Sequence, residues 1–140
     1  MQNLFIGKGN LAQSPELKFL TGARGDFEVA SMRVMFGRYG QNEAGQVEQV
    51  GGFWREVEIY GQKARDVARL LRKGNRVLVI GEERDFMAKD ESGKQVQVVK
   101  IVAEDIALQL SRVKSIEFEV PARRAQASGD TQQAQEPAQA

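Results

Sequence analysis

The sequence contains neither cysteine nor histidine among its 140 residues. It therefore cannot form disulfides or thiolate metal sites, and it lacks the usual ligands of zinc. The most common general base and the Ser-His and Cys-His pairs of nucleophilic catalysis are missing too. We expect a cytoplasmic protein that is not an enzyme and that carries no metal or cofactor.

The sequence also lacks a long hydrophobic run and a strong charge of one sign. No stretch of eighteen apolar residues is present, which argues against a membrane span. The formal net charge is +1, but residues 115–140 hold only two basic residues against four acidic ones, so residues 1–114 hold 18 basic and 15 acidic residues, a net +3. A mildly basic body of this kind is compatible with a polyanionic partner.

Alternating apolar residues predict five strands. In the third of these strands, Phe53–Tyr60, Val57 and Ile59 suit the core, whereas Trp54 and Tyr60 fall on the opposite face. The glycine-rich stretch Gly37–Gly52 is predicted to be a long loop or flexible hairpin. The predicted strands cover Leu4–Leu11, Phe27–Phe36, Phe53–Tyr60, Arg76–Met87 and Gln95–Ala103, with a further extended path at Leu17–Leu20 and a hairpin turn at Lys89–Lys94.

One segment, Gln62–Leu71, changes from strand to helical periodicity. Ala64, Val67, Ala68 and Leu71 form one apolar stripe. Arg72 and Lys73 are expected in the last helical turn, with Gly74 as the C-terminal cap.

This order of elements predicts an all-β domain, a five-stranded Greek-key barrel of the OB type with the helix between strands 3 and 4. Closure removes the exposed edges that five short strands would otherwise leave, and Gly7, Gly9 and Gly81 suit the bends. We assign residues 1–112 to this domain. Residues 113–140 are predicted to be a flexible, disordered tail, because they hold few large apolar side chains.

Four segments resemble the bacterial single-stranded DNA-binding protein family, in order and with matching spacing over roughly residues 4–110. They are Gly9–Leu17 with its Gly-Asn-Leu and Pro-Glu, the central strand Phe53–Gly61, the helix end and strand Leu71–Gly81, and the hairpin Asp90–Gly93. The resemblance implies an OB-fold that binds single-stranded DNA in replication, recombination and repair, as a homotetramer near the nucleoid.

The sequence also departs from that family. The family usually has three base-stacking tryptophans, but this chain has one. By spacing, the first family tryptophan falls on Tyr39 and the last on Ala88, two residues from Phe86. A family position that is basic appears as Glu56. The end of the sequence, Gln135–Ala140, lacks the acidic tip closing in Pro-Phe, so we expect no recruitment of replication partners by that route. This difference favours a plasmid, phage or integrative-element member.

Aromatic platforms and a basic groove are what single-stranded nucleic acid binders use against bases and phosphates. The predicted stacking residues are Trp54 and Tyr60 on one strand face, with Tyr39 and Phe86 on flanking segments. The predicted phosphate contacts are Arg33, Arg38, Lys73, Arg84, Lys89 and Lys94.

Two other functions stay open. Glu56 and Glu58 flank the aromatic face and would repel phosphate, which would suit an OB-fold protein-interaction or primosome-type accessory module with weak DNA binding. An enzyme working through carboxylates, lysine or tyrosine is the third reading, and the missing histidine and cysteine weigh against it.

Overall fold

A computed structural model describes residues 3–121, which form six strands and one helix. The elements are β1 Leu4–Leu11, β2 Glu16–Gly22, β3 Gly25–Gln41, β4 Val47–Tyr60, α1 Gln62–Leu70, β5 Arg76–Lys89 and β6 Gln95–Leu108. The predicted mainly-β class and the helix between the central strands are confirmed.

The sheet closes on itself through β1. The strands lie in the order β1-β5-β6-β4-β3-β2, and β1 also pairs with β3 through Asn10 opposite Met35 and Leu11 opposite Val34. β4 and β6 run parallel, with Glu56 opposite Lys100. This closure gives the predicted barrel and satisfies the backbone groups that an open sheet would expose.

The structure contains one strand more than predicted. Residues 16–22 pair with β3 along the same edge as the end of β1, so β1 and β2 together act as one interrupted strand. The interruption at Ala12–Pro15 frees the end of β1 for other partners, and the Leu11 carbonyl accepts a hydrogen bond from the Gly74 N–H at 2.8 Å. Proline cannot donate to the ladder, so a break before Glu16 is expected.

Most of Gly37–Gly52 forms a regular hairpin rather than a loop. β3 continues to Gln41 and β4 begins at Val47. The Asn42 side chain accepts a hydrogen bond from the Gln46 N–H at 2.9 Å and closes the turn. Backbone pairing holds this segment together without buried apolar side chains, since Tyr39, Val47 and Val50 are exposed, which is why hydrophobic alternation did not reveal it.

The helix α1 lies as predicted, but its end differs. Ala64 and Val67 are buried, as is Leu71 just after the helix. Arg72 and Lys73 follow the helix instead of forming its last turn, so Gly74 lies in the next turn and is not the cap. The Arg72 guanidinium nevertheless donates to the Ala68 carbonyl at 2.9 Å, which satisfies a helix-end acceptor.

The barrel interior is filled by aliphatic side chains from the long strands and α1. Val57 and Ile59 are 0% and 1% exposed, as their alternation predicted. Other buried members of this core are Leu11, Ala30, Met32, Val34, Phe36, Val77, Val79, Ile101 and Ala103. Burial of one side of β4 therefore directs Trp54 and Tyr60 outward.

Beyond β6 the described chain contains no further strand up to residue 121. Ile116 and Phe118 lie beside α1, where they line an apolar groove with Leu70 and Leu71. Most of the predicted disordered tail, residues 122–140, falls outside the described residues. Within residues 3–121, no helix has the length and apolar character needed to cross a membrane.

Candidate nucleic-acid interface

The outward side of β4 presents two aromatic rings with two carboxylates between them. Strand alternation places Trp54, Glu56, Glu58 and Tyr60 on one side. Trp54 is 45% exposed and Tyr60 is 44% exposed. Because residues two apart on a strand lie about 6.8 Å apart, this side chain row offers spaced, solvent-accessible ring surfaces.

The neighbouring strands extend this row into a continuous surface. Directly across the four strands, Arg33 on β3 faces Glu56, Glu56 faces Lys100 on β6, and Lys100 faces Arg84 on β5. We call the outward surface of β3, β4, β6 and β5 the aromatic face. Its members are Arg33, Met35, Trp54, Glu56, Glu58, Tyr60, Arg84, Phe86 and Lys100.

Two cations of the aromatic face lie against its rings. The Arg33 guanidinium carbon is 5.4 Å from the centre of the Trp54 ring, and the Lys100 Nζ is 5.1 Å from the centre of the Phe86 ring. Both distances fall within the range of cation–π attraction. Rings and positive charges are thus presented together, which is the combination that bases and phosphates require.

Lys100 is a functional candidate that sequence reasoning missed. Its Nζ lies 3.6 Å from a Glu58 carboxylate oxygen as well as beside Phe86. On β6, Lys100 lies on the same side as Val98 and Val102. A lysine within this otherwise apolar alternation was the sequence signal that could have identified it as a candidate.

The carboxylates of the aromatic face have different environments. Glu58 accepts a hydrogen bond from the Tyr60 hydroxyl at 3.3 Å and also pairs with Lys100. Glu56 has no hydrogen bond or ion pair to any residue in 3–121. Partial burial raises the pKa of the Glu56 carboxyl above its usual 4.5, the Glu58 charge adds to that, and Lys100 and Arg33 oppose it. Burial, and next the Glu58 charge, raise the pKa of the Tyr60 hydroxyl.

A second group of predicted residues meets beside the barrel end. The Tyr39 ring folds over Gly37, where an added Cβ would come within 3.0 Å of the Tyr39 hydroxyl. The Arg76 guanidinium carbon is 5.9 Å from the centre of that ring. Tyr39, Lys73 and Arg76 line a cleft of about 650 Å³. Arg76 was not among the predicted residues.

The remaining predicted cations lie on the two long hairpins. The Arg38 guanidinium rests over Gly51, across the β3–β4 hairpin. Lys89 and Lys94 flank the β5–β6 turn, where Asp90 accepts a hydrogen bond from the Lys94 N–H at 2.9 Å. The structure therefore unites Trp54, Tyr60, Phe86, Arg33 and Arg84 on one face, joins Tyr39 and Lys73 in the cleft, and leaves Arg38, Lys89 and Lys94 on the hairpins.

The described chain does not bring together the side chains of a metal centre. Across residues 3–121, no three aspartates or glutamates cluster as ligands for an ion. The polar chemistry of the candidate site therefore comes from its cations and carboxylates, which lie beside the aromatic rings.

A closed barrel of this order, with parallel β4 and β6 and a helix between β4 and β5, defines an OB-fold domain. Solved structures share this fold. The small single-stranded DNA-binding protein of Streptomyces coelicolor superposes with a TM-score of 0.66 at 21% identity, covering 80% of this chain and 99% of that one. The Plasmodium falciparum SSB complex with ssDNA gives a TM-score of 0.61 at 20% identity, covering 78% and 96%.

The sequence comparison identifies the family. The profile of the Single-strand binding protein family matches residues 1–109, so the chain belongs to that family. The family resemblance is thereby confirmed.

Curated relatives are similar over the same region. Single-stranded DNA-binding protein of Mycolicibacterium smegmatis is 30% identical over 100 residues, which are 70% of this chain and 58% of the relative. Single-stranded DNA-binding protein 2 of Listeria monocytogenes is 30% identical over 108 residues, 76% and 62% respectively. Single-stranded DNA-binding protein of Corynebacterium glutamicum is 28% identical over 109 residues, 76% and 47%. The chain thus spans about half to three-fifths of these relatives' length.

Proposed function

We propose that this protein binds single-stranded DNA without strong sequence preference and without catalysis, and that it protects the strand in replication, recombination or conjugative transfer. The observation that carries the proposal is the aromatic face, where Trp54 and Tyr60 are nearly half exposed beside Arg33 and Lys100. Family membership and a fold shared with an SSB complex with ssDNA support it.

Stacking on the exposed rings supplies most of the proposed affinity. Every base has a flat face, so stacking on Trp54, Tyr60 and Phe86 tolerates any sequence, and each stacked base contributes about 1–3 kcal/mol. Tyr39 in the cleft offers a further ring beside Lys73 and Arg76. A strand that follows these rings would meet phosphate-binding cations along its path.

The proposed phosphate contacts form two sets. Arg33, Arg84 and Lys100 lie among the rings of the aromatic face. Arg38, Lys89 and Lys94 extend along the hairpins, and Lys73 serves the cleft. Each phosphate neutralised by a cation releases counterions, so affinity should fall as salt rises.

A fluorescence titration across a salt series tests the proposal. Trp54 is the single tryptophan of the chain, so quenching reports on one ring. We expect oligo-dT to quench it near stoichiometry, affinity to fall with salt, and duplex DNA to compete poorly. A salt slope near zero would contradict the proposed phosphate contacts. Equal competition by duplex DNA would contradict the proposed preference for single strands.

We also propose that the protein forms a homo-oligomer, with the homotetramer as the expected state. Leu4 and Ile6 on the outward side of β1 are 62% and 60% exposed, and Ile6 pairs with Ile80 on β5. Apolar side chains left on an outer sheet surface favour burial against a second copy. Sedimentation equilibrium of the wild type and of Ile6→Glu measures the oligomeric state. A monomeric wild type would refute the proposed homo-oligomer.

A second candidate function rests on the carboxylates. Glu56 and Glu58 lower the net positive charge of the aromatic face, which suits a protein partner better than a phosphate backbone. In that case the protein is an interaction or primosome-type accessory module with weak DNA binding. Trp54 fluorescence that does not change with oligo-dT at low salt would favour this function.

A further inference from the structure

Glu56 stands in the middle of the aromatic face with a cation on either side, yet within residues 3–121 it makes no hydrogen bond or ion pair. Arg33 and Lys100 are its direct cross-strand neighbours. Arg33 lies against Trp54 instead, and Lys100 pairs with Glu58 and lies over Phe86. Within residues 3–121 neither cation hydrogen-bonds to Glu56, so both act on its carboxylate only at a distance, and the carboxylate oxygens stay accessible to water and to a ligand.

The position of Glu56 leaves its carboxylate only partly hydrated in the free protein. Partial burial is the largest cause of its raised pKa, so the carboxylate has lost part of its hydration without gaining hydrogen bonds. A partly desolvated acceptor gains more from a new donor than a fully hydrated one does. An incoming ligand that offers an N–H at this point would donate a direct hydrogen bond to the carboxylate.

Nucleobases differ in whether they can supply it. Cytosine carries an amino group at C4, and carboxylates are its usual side-chain acceptors. Thymine and uracil carry a carbonyl at the same position, and its lone pairs would face the negative charge. Because Glu56 follows Trp54 by two residues on the same side of β4, a base stacked on Trp54 would bring its edge towards the Glu56 carboxylate.

Resting on the proposed function, we infer that Glu56 is a specificity-determining residue that biases this single-strand binder towards cytosine and against thymine and uracil. The bias is modest because one partly buried carboxylate reads one base edge and the rings still accept any base. The alternative role of Glu56, uniform repulsion of phosphate, would lower affinity for every sequence equally.

The experiment compares oligo-dC with oligo-dU and oligo-dT of equal length by Trp54 quenching at neutral pH and fixed salt. The dC and dU oligomers share their backbone and both lack the C5 methyl group. The ratio of their affinities therefore reports the difference between the amino and carbonyl groups at C4. We expect the wild type to bind dC about fivefold to tenfold more tightly than dU, the lower part of the range for one base contact.

Two variants and a control assign the ratio to Glu56. In Glu56→Met no acceptor remains, so the ratio should fall to about one. In Glu56→Gln the amide can turn to serve either base, so the ratio should also approach one. Glu43→Gln removes the same charge from the exposed β3–β4 turn and should keep the wild-type ratio. Thermal melts of all three variants check that they fold.

The outcomes separate the inference from the proposed function. Equal wild-type affinity for dC and dU would overturn the inference and leave the proposed function standing. A dC preference that survives in both Glu56 variants would overturn it as well. Failure of the wild type to bind any of the three oligomers would overturn the proposed function and the inference together.

Discussion

The Arg33 guanidinium carbon lies 5.4 Å from the centre of the Trp54 ring, across the pairing of β3 with β4. Met35 stands directly opposite Trp54 on the same pair of strands. A cation and an apolar side chain therefore restrict the ring before any ligand arrives. Restricting a platform in advance lowers the ordering cost of binding, and it also places a phosphate-binding cation beside the stacked base.

Replacing Trp54 by alanine should weaken oligo-dC and oligo-dT binding by about 1–3 kcal/mol, because one stacking platform is lost. The melting temperature should change little, since the ring is 45% exposed and lies outside the core. Fluorescence anisotropy with a labelled oligomer measures the affinity, as the variant has no tryptophan. Phe118→Ala is the control, because it removes an aromatic ring that is 85% exposed and lies away from this face. Unfolding of Trp54→Ala would show that the ring is structural.

Replacing Lys100 by alanine should lower affinity and reduce the magnitude of the salt slope by about 0.7, the value for one phosphate contact on a single strand. Loss of the ammonium also leaves Glu58 without the partner that now lies 3.6 Å away, which increases the repulsion of phosphate. Lys114→Ala serves as the matched control, since it removes an exposed lysine beyond β6. An unchanged slope in Lys100→Ala would exclude a phosphate contact there.

The parts of this structure that burial dictates were the parts that sequence could predict. Val57 and Ile59 alternate with Trp54 and Tyr60 because β4 has one buried side, and the helical stripe of α1 is equally clear. The outer half of the β3–β4 hairpin depends on backbone pairing, so apolar alternation could not find it. Lys100 became a candidate when its pairing with β4 and β5 placed it among the aromatic side chains, and Arg76 when the fold placed it beside the Tyr39 ring.

Gly81 should tolerate no side chain, because β5 shifts register at this residue. A Cβ built there would lie 2.4 Å from the Val102 carbonyl oxygen and 2.7 Å from the Ala103 Cα, both rigid backbone atoms. Gly81→Ala should therefore destabilise the protein by about 1–3 kcal/mol, the range for overpacking. Chemical denaturation measures this, and Gly93→Asn is the control because it stands in an open turn with φ +85° that asparagine accepts. Equal stability of wild type and Gly81→Ala would contradict the close approach of β5 and β6 at this bend.

Removing the residues after Val120 should change neither the melting temperature nor oligo-dT affinity. The removed sequence has no large apolar side chain, so it cannot offset its own ordering entropy by burial. The shortened chain keeps Ile116 and Phe118, which lie beside α1. Calorimetry and titration of both lengths measure the two quantities. A lower melting temperature of the shortened chain would show that the tail packs on the domain.

Lowering the pH should strengthen oligo-dT binding through Glu56. Its pKa is raised above 4.5 chiefly by burial, so in the folded protein this carboxyl takes up a proton at a higher pH than an ordinary glutamate does. Protonation removes a negative charge next to the phosphates and turns an acceptor into a donor that thymine O4 can use.

The direction in which stability changes with pH follows from the same raised pKa of Glu56. An acid whose folded pKa is raised binds protons more readily in the folded state, so its contribution to stability declines as pH rises from the ordinary to the raised value. The charged groups that act on Glu56 are Lys100, Glu58, Arg33 and Lys18.

Titrations of wild type and Glu56→Gln with oligo-dT from about pH 7.5 down to about pH 5 isolate this residue, since thymine does not titrate there and Glu58 is common to both proteins. We expect the wild-type affinity to rise towards that of Glu56→Gln as the pH falls, and the variant to show the flatter profile. Parallel profiles would mean that the Glu56 charge does not act on the bound strand.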